Sequence, residues 1–266
     1  MTTVEVPHQI DGRHDEDAPT LILSNSLGST MAMWDPQVGT LGEDLRIVRY
    51  EHRGHGHAPV PKGPYSLDDL GADALALMDR LEIERAHFAG LSLGGMVAMW
   101  MGINAPDRVD RLALLCTSAM LSDDHDWAER ARLVRAGGTR AIADAVVARW
   151  FTPQFAEANP EVSDEMRAMI AATPAEGYAG CCAVIEHMDL LSELEEIEAP
   201  TLVIAGEDDP ATPPRHAEQI AGLIGSSARL EVVPHAAHLA NYEQPGTVNA
   251  LLREHLLDPG TARDGR

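Results

Sequence analysis

The sequence has almost no lysine, few cysteines and no long apolar run, and each absence excludes a class of protein. Lys62 is the only lysine in 266 residues, so nearly all of the 20 basic side chains are arginine. Against them stand 42 aspartates and glutamates, which give a formal net charge of −22. Nucleic acids and anionic membrane surfaces repel such a polyanion, so neither is expected as a partner.

The cysteines and the N-terminus indicate where the protein works. Cys116, Cys181 and Cys182 have neither the even number of a disulfide framework nor the spacing of a zinc site. No run of 18 apolar residues is present that could span a membrane, and the polar N-terminus lacks the apolar segment of a secretory signal. We therefore expect a cytoplasmic protein without a bound metal ion and without membrane association.

Short apolar segments alternate with amphipathic helical segments along most of the chain, as buried parallel strands and their crossover helices do. The predicted strands are Thr20–Ser24, Arg46–Tyr50, Ala86–Ala89, Leu112–Cys116, Thr201–Ala205 and Arg229–Val233. Ser66 is placed to cap a helix whose apolar residues continue at helical spacing to Leu81. The pattern predicts an α/β fold with a mostly parallel sheet.

The alternation stops between about Leu121 and Glu198, where the sequence predicts helices only. These helices are Trp127–Ala136, Arg140–Arg149, Ser163–Ala172 and Gly177–Met188. Open α/β folds bind ligands at the carboxyl ends of their strands, so we expect the helices to form a lid over that edge. The predicted division is a core of residues 1–120 and 199–257, a lid of residues 121–198 and a disordered tail of residues 258–266.

A Gly-x-Ser-x-Gly pentapeptide at residues 90–94 follows a predicted strand and opens an apolar helical run. A serine on such a strand–turn–helix elbow, here Ser92, is typical of a catalytic nucleophile. A phosphate-binding loop would need Gly-Lys-Ser or Gly-Thr, and this loop contains neither. Because a serine hydroxyl is a weak nucleophile, Ser92 requires a base and an acid that orients the base.

The acid and the base are expected on the loops after the last two predicted strands. Asp208 and Asp209 follow the first of these strands, and His235 and His238 follow the second. This arrangement reproduces the chain order serine, aspartate, histidine that accompanies this type of elbow. Spacing alone leaves either aspartate and either histidine open.

Further segments extend the pattern beyond these loops. They are Leu23–Gly28, Met33–Gln37, Arg49–Tyr50, Arg53–Gly56, Pro61–Tyr65, Arg149–Phe151, Glu176–Tyr178, Asp209–Pro213, and His238 with Asn241–Pro245. From about Leu21 to Leu256 the chain resembles the 3-oxoadipate enol-lactonases of the α/β-hydrolase superfamily. The resemblance implies the α/β-hydrolase fold, a twisted and mostly parallel sheet with helices on both faces and a helical lid insertion.

The resemblance also implies an activity and a catalytic triad. The activity is hydrolysis of 3-oxoadipate enol-lactone to 3-oxoadipate, a step of the β-ketoadipate pathway of aromatic catabolism, without a cofactor. Matched to the family pattern, Ser92 is the nucleophile and His238 is the base. The spacing of the family's acid selects Asp209 and leaves Asp208 as its neighbour.

The same resemblance implies an oxyanion hole made by the backbone N–H groups of Ser26 and Leu93. The register of the first loop is open by one residue, so Leu27 is an alternative to Ser26. Glu51 and His52 stand where the family usually has Asp-Thr. This difference removes no catalytic atom, and we expect it to affect substrate fit.

A small anionic lactone is the expected partner, and it requires local positive charge in so acidic a protein. The segment Trp127–Phe151 supplies that charge with Arg130, Arg132, Arg135, Arg140 and Arg149 against two acidic residues. Trp127 and Arg130 share one helical face, so they and Trp150 are the predicted substrate-binding residues. Arg53 is the alternative carboxylate-binding residue.

Other interpretations stay open at this stage. The same triad could serve another carboxylesterase, another lactonase or a hydrolase of carbon–carbon bonds, and the fold could also form a non-catalytic ligand receptor. The Met and Trp side chains of the lid would suit a subunit interface as well as a substrate, which leaves a homo-oligomer open.

Overall fold

Seven strands form one mixed sheet within the described part of the chain, which is residues 3–15, 17–121 and 126–258 of a computed structural model. The strands are β1 (His8–Gly12), β2 (Thr20–Ser24), β3 (Arg46–Tyr50), β4 (Ala86–Leu91), β5 (Val109–Leu115), β6 (Thr201–Gly206) and β7 (Ala228–Val233). Their order is β1-β3-β2-β4-β5-β6-β7. Only β1 runs antiparallel to its neighbour, and the other pairs are parallel, as predicted.

Eleven α-helices lie within the described residues. They are α1 (Asp35–Leu41), α2 (Leu67–Arg80), α3 (Leu93–Asn104), α4 (Trp127–Gly137), α5 (Ala143–Trp150), α6 (Pro153–Ala158), α7 (Pro160–Ala172), α8 (Ala175–His187), α9 (Pro214–Ile224), α10 (Ala240–Glu243) and α11 (Pro245–Leu257). The predicted cap of α2 is confirmed. The Ser66 hydroxyl accepts the N–H of Asp69 at 3.2 Å, and the Asp69 carboxylate accepts the N–H of Ser66 at 3.0 Å.

The strand order reverses after β3, because β3 lies on one side of β2 and β4 lies on the other. Right-handed crossovers therefore place α1 and α2 on opposite faces of the sheet. At the reversal the carboxyl ends of β2 and β4 are neighbours, and Ser24 pairs with Gly90. Ligands of open α/β sheets bind at such a switch point, so the fold itself indicates where the site lies.

All six predicted strands are present, with ends that differ by up to three residues. β4 and β6 are buried along their whole length, which explains why continuous apolar runs identified them. The sequence did not predict β1. This strand, with the sequence His-Gln-Ile-Asp-Gly, is half-exposed at the sheet edge and has no apolar run to mark it.

The segment between β5 and β6 is helical where the structure describes it, as predicted. One isolated bridge between Met120 and Asp189 joins its two ends. The sequence missed α6, a six-residue helix capped by the Thr152 hydroxyl, which accepts the N–H of Phe155. The predicted helix Arg140–Arg149 is divided into a short 3₁₀ turn and α5. Residues 259–266 of the expected tail lie outside the described residues, and the division into core and lid stays a prediction.

Within the described residues, no single helix has both the length and the apolar composition needed to cross a membrane. Helices α7 and α8 meet that requirement only as a pair, and the pair is bent by 94° at its break.

Candidate active site

Ser92 occupies a strained turn between β4 and α3. Its backbone angles are φ 57° and ψ −117°, a conformation that non-glycine residues seldom adopt. The turn is possible because the chain passes very close to itself on both sides. A Cβ atom at Gly90 would lie 2.0 Å from the carbonyl oxygen of Gly94, and one at Gly94 would lie 2.1 Å from that of Ser24. The glycines of the pentapeptide are therefore required by space, and they allow the tight elbow that holds Ser92 at the start of α3.

Asp209 and His238 face each other from the loops after β6 and β7. The Nδ1 atom of His238 lies 2.8 Å from Oδ2 of Asp209, and both side chains are buried. The hydroxyl of Thr212 donates to the same Oδ2, and the N–H groups of Ala211 and Thr212 donate to Oδ1. Sequence reasoning did not single out Thr212, although its place three residues after Asp209 is that of a local side-chain-to-backbone turn.

The charge state of Asp209 follows from these contacts. Burial alone would raise the pKa of its carboxyl group, but the nearby His238 and the hydrogen bonds from His238 and Thr212 outweigh burial and lower it. Asp209 is therefore ionised at neutral pH and accepts a hydrogen bond from the Nδ1–H group of His238. That bond selects the tautomer whose Nε2 is free to act as a base.

The two alternatives left open by spacing lie elsewhere. Asp208 and His235 are both exposed, and His235 has a positive φ of 55° on the turn before the buried loop. The structure brings Asp209 and His238 together and leaves Asp208 and His235 at the surface.

Ser92 and His238 line one cavity beneath the helices that follow β5. The other lining residues are Ser26, Leu27, Leu121, Trp127, Arg130, Val146, Arg149, Trp150, Tyr178, Ile185, Ala211 and Thr212. This set includes the three predicted substrate-binding residues Trp127, Arg130 and Trp150. Among the residues that the structure describes, no carboxylate belongs to the lining, and the lining contains positively charged arginine side chains.

Two of the five arginines in the predicted cluster supply that charge. Arg130 and Arg149 are half-buried in the cavity wall, and the Arg130 guanidinium lies 4.9 Å from the centre of the Trp127 ring. The pKa of Arg149 is lowered mainly by burial and, to a smaller extent, by the charge of Arg130. A bound anion attracts both guanidinium groups and offsets their mutual repulsion.

The other three arginines of the cluster lie on the protein surface. Arg132 forms an exposed ion pair with Glu129, Arg135 forms one with Glu176, and Arg140 is exposed. Their position on the solvent side of the helices is the ordinary one for amphipathic segments.

The structure corrects one of the predicted oxyanion donors. The N–H of Ser26 is directed at the sulfur of Met33, 3.2 Å away, so it is not available to an oxyanion. The N–H of Leu27 has no acceptor recorded among the described residues, and Leu27 lines the cavity. Leu93 is the first residue of α3, where a backbone N–H has no partner within the helix. Leu27 and Leu93 are therefore the donors that the geometry favours.

Residues 19–245 match the α/β-hydrolase fold family. The chain belongs to the α/β-hydrolase family. This hydrolase is 40% identical to the 3-oxoadipate enol-lactonase 2 of Acinetobacter baylyi, and the match covers 88% of this chain and 86% of the relative. The crystal structure of the enol-lactonase from Burkholderia xenovorans LB400 has a TM-score of 0.92 and 39% identity, over 95% of this chain and 96% of that one. The predicted resemblance to the enol-lactonases is confirmed.

A more distant relative carries a different name. This hydrolase is 28% identical to a putative carbamate hydrolase RutD of Stutzerimonas stutzeri, and the match covers 94% of this chain and 96% of the relative.

The alternative anion-binding residue, Arg53, is committed to the core of this hydrolase. Its guanidinium forms a two-point ion pair with Asp73, with N–O distances of 2.7 and 2.8 Å, and a longer contact with Asp69. It does not belong to the cavity lining. Arg53 therefore stabilises the packing of α2 and is not a candidate for the substrate.

Two further serine–histidine contacts occur in the hydrolase, away from the cavity lining. Ser24 lies 3.3 Å from His52, and Ser118 lies 2.9 Å from Nδ1 of His216. Burial lowers the pKa of His52 to about 3, so this ring is neutral at neutral pH. Neither serine has the elbow conformation of Ser92.

Glu207, Asp208 and His235 form the group that could hold a metal ion, with ligand atoms within 4.8 Å of one another. All three side chains are exposed, and exposed acidic groups are common without an ion.

Proposed function

We propose that this hydrolase opens a carboxylated enol-lactone, 3-oxoadipate enol-lactone, to give 3-oxoadipate. The observation that carries the proposal is a single cavity that holds Ser92, His238 and two half-buried arginines. The nucleophile and base suit an ester bond, and the arginines suit an anionic substrate. The similarity to proteins named enol-lactonase supports the choice of the lactone.

Ring opening begins with proton transfer from Ser92 to Nε2 of His238. The Ser92 oxygen attacks the lactone carbonyl, and the N–H groups of Leu27 and Leu93 stabilise the oxyanion that forms. Ionised Asp209 stabilises the imidazolium through the 2.8 Å contact with Nδ1. Collapse breaks the ring C–O bond, so that the acyl group stays on Ser92 and the ring oxygen leaves as an enolate. The enolate takes the proton of the His238 imidazolium, and the resulting enol then rearranges to the ketone.

Hydrolysis of the acyl-enzyme repeats these steps with water as the nucleophile. His238 removes a proton from the water, which attacks the acyl carbonyl, and the proton then returns to the Ser92 oxygen as the C–O bond breaks. The ketone form of the product disfavours closure of the ring. The sequence of steps requires no metal ion and no organic cofactor.

Substrate selection depends on the arginines. Arg130 is held by its contact with Trp127, so its guanidinium is ordered before an anion arrives. Trp150 adds a buried apolar wall beside it. The net charge of −22 on the whole chain disfavours large polyanions, whereas a small carboxylate enters a cavity whose charged walls are cationic.

The test compares the enol-lactone with p-nitrophenyl acetate, a neutral ester. Because charge-assisted hydrogen bonds contribute up to about 3 kcal/mol, we expect kcat/KM for the lactone to exceed that for the ester by about 100-fold. The loss of ultraviolet absorbance of the lactone measures the first rate, and release of nitrophenolate measures the second. Faster turnover of the neutral ester would favour a general esterase, and turnover of a carbamate alone would favour the activity named for the more distant relative.

A further inference from the structure

Glu243 is a buried carboxylate, 7% exposed, that joins two segments of the active site. It lies at the end of α10, and its Oε2 accepts the N–H of Ala237 at 2.9 Å. The same carboxylate accepts the N–H of Thr152 at 3.2 and 3.3 Å, and its Oε1 also accepts the Thr152 hydroxyl. A buried carboxyl group needs hydrogen-bond donors, and Glu243 obtains its donors from both segments.

The two segments are the neighbours of the base and the wall of the cavity. Ala237 directly precedes His238, and Thr152 follows two residues after the cavity-lining Trp150. A second bond runs in parallel, because the N–H of Leu239 donates to the carbonyl oxygen of Trp150 at 2.9 Å. Leu239 is thus hydrogen-bonded directly to the cavity wall, and Ala237 is connected to the same short stretch of the wall through Glu243.

The other side of the His238 loop rests on the loop that carries Asp209. The N–H of Asp208 donates to the carbonyl oxygen of Ala236 at 2.9 Å. Gly206, at the end of β6, lies so close that a Cβ atom there would be 2.3 Å from the carbonyl oxygen of Ala237. The loop is therefore held between a fixed support from β6 and a support from Glu243.

We propose that Glu243 is a positioning residue that fixes the distance between the catalytic base and the substrate-binding wall. The proposal rests on the proposed function, because it assigns His238 as the base. Glu243 does not belong to the cavity lining, and it acts through Ala237 and Thr152. Because of this link, the position of His238 is tied to that of Trp150. A substrate that packs against Trp150 therefore has its carbonyl group at a fixed distance from Nε2 of His238.

Two nearly isosteric variants weaken the link from either end. In Glu243→Gln one of the two carboxylate oxygens becomes an NH₂ group, which cannot accept a hydrogen bond, so either Ala237 or Thr152 loses its acceptor. In Thr152→Val the hydroxyl is lost and the shape is kept. Since a displacement of about 1 Å can cost about 100-fold in rate, we expect kcat to fall 10- to 100-fold in both variants while KM stays within about twofold. Thr152→Ser keeps the hydroxyl and is the matched control, with kcat near the wild-type value.

The double variant tests whether the two residues act as one unit. If Glu243 transmits the position of Thr152, adding Thr152→Val to Glu243→Gln produces no further fall in kcat. Multiplication of the two losses would show independent effects and overturn the proposal.

A proton resonance provides a readout that does not depend on turnover. The Nδ1 proton of His238, shared with Asp209, is expected at low field in the wild-type spectrum and shifted or broadened in folded Glu243→Gln. An unchanged resonance together with an unchanged kcat, in a variant that has only a lower melting temperature, would reduce Glu243 to a structural role and overturn the inference. If the wild-type protein turned over neither lactone nor ester, the proposed function would fail, and the resonance would still decide the positioning role.

Discussion

Glu51 is a buried carboxyl group without an ion pair among the described residues, and we expect its replacement by glutamine to stabilise the protein at alkaline pH. The side chain is 3% exposed, its Oε1 accepts the N–H of Met31 at 3.4 Å, and its Oε2 has no hydrogen-bond partner in the described structure. The nearest cation, Arg49, is paired with Asp11 at 2.8 Å and Asp35 at 2.6 Å.

Burial raises the pKa of Glu51 from 4.5 to about 7, and the bond from Met31 and the charge of Arg49 oppose it only in part. A carboxyl group whose pKa is raised on folding stabilises the folded state while the group is neutral. This contribution to the free energy of unfolding is fully present below pH 4.5 and is lost as the pH rises through 7. Because one pKa unit corresponds to about 1.4 kcal/mol, ionisation of Glu51 destabilises the fold by roughly 3 kcal/mol at pH 8.5 and by roughly 1 kcal/mol at pH 5.5.

Glutamine at position 51 can accept the same hydrogen bond from Met31 and cannot ionise. The free energy of unfolding of Glu51→Gln, measured by urea denaturation, should therefore exceed the wild-type value by ~2 kcal/mol more at pH 8.5 than at pH 5.5. Glu157→Gln is the matched control, because it removes the same charge from an exposed position on α6 and should change stability by less than about 0.5 kcal/mol. A gain that does not depend on pH, or a loss at pH 8.5, would refute the reasoning.

Two predictions concern the catalytic groups and the substrate. Asp209→Asn removes the negative charge from His238 and should lower kcat by about 10⁴-fold, whereas the exposed neighbour variant Asp208→Asn should stay within about twofold of wild type; the reverse ranking in steady-state assays would exchange their roles. Arg130→Ala should raise KM for the anionic lactone by about 10- to 100-fold, whereas Arg132→Ala removes an exposed, paired arginine and should leave KM unchanged. Equal KM values for the two arginine variants would show that the substrate carboxylate binds elsewhere.

The buried parallel strands, such as β4 and β6, could be predicted from the sequence because burial on both faces demands continuous apolar runs. The strand β1 and the helix α6 could not be predicted in this way. β1 pairs at a half-exposed edge and tolerates polar side chains, and α6 depends on a single threonine cap and on its packing. Their formation follows from tertiary contacts, which a local pattern does not record.

The triad members were predicted from chain order and from the family pattern, and the buried pair of Asp209 and His238 agrees with that choice. The sequence left Ser26 and Leu27 open as the first oxyanion donor, and it could not decide between them, because the direction of one amide depends on where the Met33 sulfur packs. The place of Glu243 was equally hidden. The segment Asn241–Pro245 belongs to the family pattern, but the partners Ala237 and Thr152 meet Glu243 only in the fold.

The arginines show the same limit for charged side chains. Composition located the positive segment, but which members face the cavity depends on helix rotation and on where α5 begins. Arg149 reaches the cavity because α5 begins at Ala143, after a 3₁₀ turn that ends at Ala141. Arg53, the alternative candidate in the sequence, is bound to Asp73 instead.

The most direct test of the central claim is the initial rate at which the enol-lactone is consumed by the wild-type protein and by Ser92→Ala, followed by ultraviolet absorbance. We expect the wild type to consume the lactone rapidly and Ser92→Ala to lose about 10⁶-fold in kcat, with the fold of the variant intact by circular dichroism. Turnover retained by folded Ser92→Ala, or a wild-type protein that leaves the enol-lactone unchanged, would contradict the central claim.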